Sequence, residues 1–164
     1  PISGNFVDAK DIATHWPTYQ EAANKVGKQP TYQKWRVGRS VLITSSNSEA
    51  EEILGDPKGV FSHYFLYLNT VSKLASGTLS KDINLKKDLP EAIKKANDLI
   101  IIGNKKTVTE KLVSFIEKVG PFGTLLLTGH DIGNSKKLWE NSFSEMATSI
   151  QPVLNKYISQ KYIN

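Results

Sequence analysis

The residues that could do chemistry stand where predicted strands end, and the last of these strand ends is the richest. Gly129, His130 and Asp131 follow a short apolar run. A histidine beside an aspartate could form an oriented acid–base pair, because histidine titrates near neutral pH. Neighbouring side chains of an extended segment point in opposite directions, so adjacency favours pocket lining by Gly129 and His130 over a catalytic pair. His130 is still the candidate acid or base of this chain.

Two other strand ends have the composition of anion sites. Ser3, Gly4 and Asn5 precede a predicted helix, and a hydroxyl, backbone N–H groups and a helix N-terminus together suit a phosphate. The run Gly103-Asn104-Lys105-Lys106-Thr107 opens another helix, where glycine lets the backbone approach an anion. Its spacing is not that of a nucleotide-hydrolase phosphate loop. Spacing alone favours an ordinary capped turn at both places.

The spacing of the other reactive residue types argues against unaided nucleophilic or metal chemistry. No histidine, aspartate or glutamate cluster has metal-ligand spacing, and neither Gly-x-Ser-x-Gly nor Gly-x-Gly-x-x-Gly occurs. His63, Tyr64 and Tyr67 recur at helical spacing, which is more typical of a core than of a cofactor site. Any reaction is therefore expected to use a bound cofactor.

The composition is that of a globular domain. The 164 residues are 39% hydrophobic and 23% charged, and the longest apolar runs are far shorter than the roughly 20 residues that cross a bilayer. The net charge of +5 comes from lysines scattered over several predicted helices, which disfavours nucleic-acid binding. The lack of cysteine and of a secretory signal pattern is compatible with a cytoplasmic protein, which is the localisation we expect.

Hydrophobic periodicity divides the chain into alternating strands and amphipathic helices. Strands are predicted at residues 36–44, 99–103 and 124–128, with a stub at 1–3. Helices are predicted at residues 9–26, 46–55, 60–75, 88–97 and 105–119, and from residue 135 onward. Asp8 and Asp88 are the expected N-caps of two helices. Pro17 is expected to kink or restart its helix, and Pro152 to bend or end its own.

This order of elements indicates the α/β class. Strands joined by helical crossovers pair in parallel and in the right-handed sense. A closed eight-stranded barrel typically needs about 250 residues. The 164 residues therefore form either a small open sheet or part of a barrel, and a first residue of Pro1 rather than Met agrees with the second.

Several motifs, in order along the chain, carry a family resemblance. The first group is Pro1-Ile2-Ser3-Gly4-Asn5-Phe6, His15-Trp16-Pro17-Thr18-Tyr19 and Trp35-Arg36-Val37-Gly38-Arg39-Ser40. The second is Ile102-Gly103-Asn104 with Thr107-Val108, then Val119-Gly120-Pro121-Phe122-Gly123-Thr124-Leu125-Leu126 and Gly129-His130-Asp131. The third is Met146-Ala147 with Gln151-Pro152-Val153-Leu154-Asn155. Together they resemble luciferase-like flavin-dependent monooxygenases, in particular the limonene-monooxygenase-like group, over nearly the whole chain.

The resemblance implies the carboxyl-terminal part of a (β/α)8 TIM barrel, with 1–164 as a single incomplete domain. On that template residues 1–3 close strand five, and 36–44, 99–103 and 124–129 are strands six, seven and eight. Residues 56–88 are the variable excursion that shapes the substrate pocket. The implied partner that completes the barrel is the missing N-terminal half.

The resemblance also implies a cofactor and its binding residues. Reduced FMN, supplied by a separate flavin reductase, is expected to activate O2 and oxygenate a small organic substrate. Ser3 matches the region that binds the flavin phosphate, and Gly4 and Asn5 follow it. Gly103 and Gly129 complete the expected cofactor-binding set. The run Asn104-Lys105-Lys106 departs from the family's usual Ser/Thr-Pro-Glu/Asp, which weakens a binding role there.

Two other functions are compatible with the sequence. A deazaflavin-dependent oxidoreductase on the same barrel would transfer hydride instead of activating O2. A non-catalytic α/β module would bind an anion or a protein partner through its unpaired sheet edges, and a homodimer could cover those edges.

Overall fold

A computed structural model describes residues 1–78, 84–130 and 135–163. Its strands are β1 (Ile2–Ser3), β2 (Arg36–Arg39), β3 (Val41–Ile43), β4 (Ile101–Gly103) and β5 (Thr124–Leu127). Its α-helices are α1 (Ala9–Lys25), α2 (Asn47–Gly55), α3 (Val60–Ala75), α4 (Leu85–Leu99), α5 (Lys105–Val119), α6 (Lys136–Glu145) and α7 (Gln151–Ile158). The strand stub and the α/β class are both confirmed.

The strands form two parallel sheets. In the first, β2 lies between β1 and β5, and Val37 pairs with Ser3 on one side and Leu125 on the other. In the second, β3 pairs with β4 from Val41 and Ile101 onward. All pairs are parallel because each crossover contains at least one helix.

The prediction of one strand across residues 36–44 is wrong, because the segment changes sheets at Ser40. The carbonyl of Arg39 accepts a hydrogen bond of 3.0 Å from Thr128 N, which follows β5. The carbonyl of Ser40 accepts one of 2.9 Å from Ile101 N, at the start of β4. Ser40 is therefore the link between the two sheets.

The assignment of residues 99–103 as the barrel strand between 36–44 and 124–129 is also wrong. Carbonyls of successive strand residues point to opposite edges. Those of Trp35 and Arg39 bond toward β5, whereas that of Ser40 bonds toward β4. The β4 strand therefore lies on the same side of segment 36–44 as β1, opposite to β5. The direct neighbour of β2 on its other side is β5.

Two hydrophobic cores hold the helices against the sheets. One core packs α1, α5 and α7 against the first sheet and also contains residues of β3 and β4, with Val37, Leu112 and Ile150 fully buried. The other packs α2, α3 and α4 against the second sheet, with Phe61 and Phe65 at its centre. Burying each such side chain stabilises the fold by about 1.5–3 kcal/mol. In the described ranges, no helix has the length and apolar content needed to cross a membrane.

Most helix ends lie where their signals predict. Gly27 and Gly120 stop α1 and α5 at φ of 70° and 93°, a left-handed conformation that glycine adopts without strain. Asp8 is the N-cap residue of α1, as predicted, but its side chain makes no cap hydrogen bond. Asp88 is not an N-cap, because α4 begins three residues earlier. Asp88 lies in the first turn of α4, and its carboxylate accepts a hydrogen bond from the N–H of Asn84.

Pro17 and Pro152 both sit within continuous helical segments. The α1 helix runs through Pro17 without a restart. The helix containing Pro152 does not end there, since α7 continues to Ile158. Residues Met146–Ile150 before it form a π-helical turn in which Gln151 N donates to Met146 O. The wider turn accommodates a residue that has no N–H and whose ring would clash with an α-helical carbonyl.

Candidate functional site

Three polar side chains meet at the carboxyl ends of β1, β2 and β5. Asn5 Nδ2 donates to Ser40 Oγ at 2.8 Å, and Ser40 Oγ lies 2.8 Å from His130 Nε2. Each residue follows a different strand of the first sheet. Parallel strands bring these ends to one edge, which is where α/β proteins bind their ligands. We take this chain of three side chains as the candidate site.

Aromatic rings surround the imidazole of His130. The rings of Phe61 and Tyr64 from α3 have their centroids 5.1 and 5.3 Å from it, and that of Phe6 lies 6.1 Å away. The carbonyl of His130 accepts a bond of 2.8 Å from Trp139 Nε1. Burial lowers the pKa of His130 below its ordinary value, because the surroundings disfavour the charged ring. The imidazole is therefore neutral at pH 7.

A buried arginine holds the Asn5 segment against the end of β2. Arg39 donates from Nη1 to the carbonyls of Asn5 and Val7, at 3.0 and 3.1 Å. Its guanidinium lies over the ring of Phe115 in α5, 4.4 Å from the centroid. Burial lowers the pKa of Arg39, and the nearby charge of Asp8 opposes that effect. The Arg39 guanidinium therefore holds the backbone of residues 5–7 from the side of the sheet that faces α5.

The hydroxyl of Ser3 is enclosed by protein partners. It accepts from Trp35 Nε1 at 2.8 Å and lies 2.9 Å from His15 Nδ1, and the residue is 2% exposed. Gly4 is exposed, and an added Cβ there would meet only Val7 at 3.7 Å. The structure thus brings Asn5 and His130 together and keeps the Ser3 side chain apart from them. A flavin role for Ser3 and Gly4 stays a prediction.

The two remaining predicted glycines lie in different places. Gly129 is exposed beside His130, and a Cβ there would lie 3.9 Å from the indole of Trp139. Gly103 ends β4 in the second sheet, and Asn47 Oδ1 accepts from the N–H of the following Asn104 at 2.9 Å. Gly103 is therefore not part of the candidate site, and a cofactor role for either glycine is untested.

A cavity of about 680 Å³ lies beside Asn104, at the carboxyl ends of β3 and β4. Lys105 and Glu145 form an ion pair of 3.0 Å at its wall. Asn104 caps α5 by accepting from Thr107 N, so the capped-helix interpretation of this segment is confirmed. No cluster of metal-ligating side chains occurs within residues 1–78, 84–130 and 135–163.

Sequence reasoning missed Ser40 and the aromatic wall. Ser40 stands where the polar residues of the segment 36–44 give way to the apolar run at 41–43, and that change was the available signal. Tyr64 was assigned to a core, and it does contact Phe65 there, but its ring also faces His130. The predicted alternative pairing of His130 with Asp131 involves a residue outside the described ranges.

Sequence comparison finds two monooxygenases that are similar to this chain. No protein-family profile matches the chain. It is 25% identical to 3,6-diketocamphane 1,6-monooxygenase of Pseudomonas putida over 143 residues, covering 86% of this chain and 38% of that protein. It is also 25% identical to 2,5-diketocamphane 1,2-monooxygenase 2 of Pseudomonas putida over 147 residues, covering 86% and 40%. The chain thus spans about two fifths of the length of these relatives.

Solved structures share the fold. One is the oxygenating constituent of 3,6-diketocamphane monooxygenase from Pseudomonas putida, a type II Baeyer-Villiger monooxygenase in complex with FMN. It matches with a TM-score of 0.67 and 23% identity, over 93% of this chain and 42% of that one. Monooxygenase RslO1 from Streptomyces bottropensis matches with a TM-score of 0.59 and 14% identity, over 93% and 41%. The sequence relatives are monooxygenases, as the motifs predicted.

Proposed function

We propose that the chain is the carboxyl-terminal part of an FMN-dependent monooxygenase that oxygenates a small organic substrate. The Asn5–Ser40–His130 chain at the ends of three adjacent parallel strands is the observation that carries the proposal. In this proposal β1, β2 and β5 are barrel strands six, seven and eight. The N-terminal half of the barrel supplies the other five strands and much of the active site.

The residues of the candidate site fit the ring system of FMN and not its phosphate. Asn5 and His130 offer polar atoms at the edge of a wall formed by Phe6, Phe61 and Tyr64, and an isoalloxazine ring needs both. Among the described residues at these strand ends the cation is Arg39, and its guanidinium already donates hydrogen bonds to the carbonyls of Asn5 and Val7. We expect most phosphate contacts to come from the N-terminal half.

Within such an enzyme, this chain would orient ligands and exclude water. When bound and reduced, FMN supplies the electrons that activate O2. The rings around His130 keep solvent from the reacting groups. A neutral imidazole can accept a proton and later return it, and the lowered pKa of His130 favours that neutral form. His130 is thus the proposed acid or base.

The relatives favour FMN over a deazaflavin, because a solved relative was obtained in complex with FMN. A separate flavin reductase is the proposed source of reduced FMN, because one solved relative is the oxygenating constituent of a type II Baeyer-Villiger monooxygenase. The excursion at residues 56–88 contributes Phe61 and Tyr64 to the site, and we propose that it shapes the substrate pocket.

Flavin binding by the isotope-labelled chain, alone and with a supplied N-terminal half, tests the proposal. Riboflavin or FMN is titrated in, and the ring signals of His15, His63 and His130 are followed by long-range proton–nitrogen NMR spectra. We expect the His130 signals to shift and those of the exposed His63 to stay constant. Because the site fits the ring alone, riboflavin and FMN should bind with similar affinity.

A matched pair of variants on α3 sharpens this test. Tyr64→Leu removes a ring from the wall and should weaken flavin binding roughly three- to tenfold, as expected for one aromatic contact. Tyr67→Leu changes an exposed tyrosine one turn away and should leave binding unchanged. His130 signals that stay unshifted at saturating flavin, both in this chain alone and with a supplied N-terminal half, would overturn the proposed site and favour the non-catalytic module.

A further inference from the structure

We propose that Ser40 is a positioning residue that holds the neutral His130 ring with its proton on Nδ1. Its catalytic meaning rests on the proposed function, whereas the tautomer itself follows from contacts within the chain. Ser40 Oγ lies 2.8 Å from both Asn5 Nδ2 and His130 Nε2, so one hydroxyl joins two residues that are far apart in sequence.

The direction of these hydrogen bonds follows from what each atom can do. Asn5 Nδ2 has only protons to offer, so Ser40 Oγ accepts from it. The hydroxyl has a single proton, and the other polar atom at hydrogen-bond distance from it in the described residues is His130 Nε2. If that proton pointed elsewhere, it would be left unpaired in a site where Ser40 is 1% exposed. Nε2 therefore accepts, and the neutral ring carries its proton on Nδ1.

The backbone around Ser40 makes it a rigid support. Its carbonyl bonds to Ile101 N in one sheet, and the preceding Arg39 carbonyl bonds to Thr128 N in the other. A side chain held by two sheets loses little further freedom when it bonds the imidazole. Because the segment 36–44 is divided between two sheets at Ser40, the Ser40 hydroxyl is held in a fixed position beside the imidazole of His130.

The consequence concerns which ring atom can serve a ligand. With Nε2 accepting from Ser40, the neutral ring would offer Nδ1–H to a ligand as a hydrogen-bond donor, and Nε2 is its proton-accepting atom. Of the described side chains whose rings lie around the imidazole, Phe6 and Phe61 are apolar and Tyr64 carries a hydroxyl. Ser40 would therefore select which ring atom donates a hydrogen bond to the ligand, without touching the ligand itself.

The tautomer of His130 is measurable without any cofactor. Long-range proton–nitrogen NMR spectra distinguish a protonated from an unprotonated ring nitrogen. In the unmodified chain at pH 8 we expect protonated Nδ1 and unprotonated Nε2. Ser40→Ala should lower the ratio of the Nδ1–H to the Nε2–H tautomer by roughly two- to tenfold, the equivalent of one hydrogen bond.

Ser3→Ala is the matched control. It removes the hydroxyl that bonds His15 Nδ1, so it should alter the His15 signals and leave the His130 tautomer unchanged. An Nε2–H tautomer in the unmodified chain would overturn the inference, and so would an unchanged ratio in a folded Ser40→Ala variant. If that variant fails to fold, the tautomer of the unmodified chain decides alone. Flavin titration is a separate measurement, so the two proposals can fail independently.

Discussion

At the scale of single residues, Gly123 shows how close two backbone segments come before β5. Its N–H donates to the carbonyl of Trp35 at 3.0 Å, and an added Cβ would lie 1.8 Å from the carbonyl oxygen of Gln33. No side chain can yield there, because the clashing atom belongs to the backbone. Only glycine allows the segment to reach the register in which β5 pairs with β2.

Gly123→Ala should therefore destabilise the fold. We expect the free energy of unfolding to fall by about 2–3 kcal/mol, the upper range for overpacking. Urea denaturation followed by circular dichroism measures it. Gly55→Ala is the control, because a Cβ there meets nothing within 4 Å, and it should stabilise α2 by about 0.5 kcal/mol. Equal stability of the two variants would contradict the close approach.

The buried imidazole of His130 should make stability depend on pH. Its folded pKa lies below the ordinary value of about 6.5, so the unfolded chain binds the proton more readily. Stability is then complete above that ordinary value and is lost as the pH falls toward the folded pKa. His130→Gln should show a smaller loss between pH 7.5 and 5.5 in urea denaturation. Identical pH slopes would mean that the imidazole is not buried as described.

At the scale of elements, the helices were predictable and the strand pairing was not. Local signals decide where a helix ends, as at Gly27, Gly120 and the Ser46 hydroxyl, which accepts from Glu49 N at the start of α2. The division of residues 36–44 depends on which neighbours pair with each half. That choice is made by long-range contacts, and hydrophobic periodicity along one segment does not identify the neighbouring strand.

The C-terminal helical segment that follows Gln151 is held to α5 by a clamp of three polar side chains, Glu117, Tyr157 and Lys161. Glu117 Oε1 accepts from Tyr157 Oη at 2.6 Å and from Lys161 Nζ at 2.7 Å. These bonds lower the pKa of Glu117, with Lys161 as the largest cause. The pKa of Lys161 is raised in turn, chiefly by its bond to Glu117. The clamp links residues 44 positions apart and holds the end of the chain on the core that α1, α5 and α7 form with the first sheet.

Removing the cation should loosen the end of that helix. Lys161→Met is expected to speed hydrogen exchange of the amides at residues 157–163 by roughly two- to fivefold, since exposed ion pairs contribute little each. Mass spectrometry of exchanged peptides gives the rates. Lys156→Met, on the same helix and outside the clamp, should leave them unchanged. Added salt should reproduce part of the effect in the unmodified chain only.

At the scale of the whole molecule, the candidate site shows what sequence reasoning could reach. His130 and Asn5 were found because parallel strands bring their carboxyl ends together, a rule that needs no register. Ser40 was missed because its place at a strand end appears only once the strand is divided between two sheets. Gly103 lies apart from the candidate site because β4 belongs to the second sheet, and its predicted cofactor role stays a prediction.

The first sheet has a helix-covered face and a bare one. Strand partners share a face, and alternate residues change face. Ser3, Val37 and Leu125 form the row that faces the helices, so Ile2 and Leu126 lie on the other side. They are 67% and 37% exposed. In a barrel this bare face would point inward, and in the isolated chain it offers apolar surface for association.

We expect the isolated chain to self-associate through this bare face. Sedimentation velocity should show a sedimentation coefficient that rises with concentration. Leu126→Lys places a charge in the contact and should weaken association at least about tenfold, since burying one leucine contributes about 1.5–3 kcal/mol. Val26→Lys alters an apolar residue that is 69% exposed at the end of α1, and should leave association unchanged. A monomer at every concentration would exclude the homodimer and leave the N-terminal half of the barrel as the proposed cover for this face.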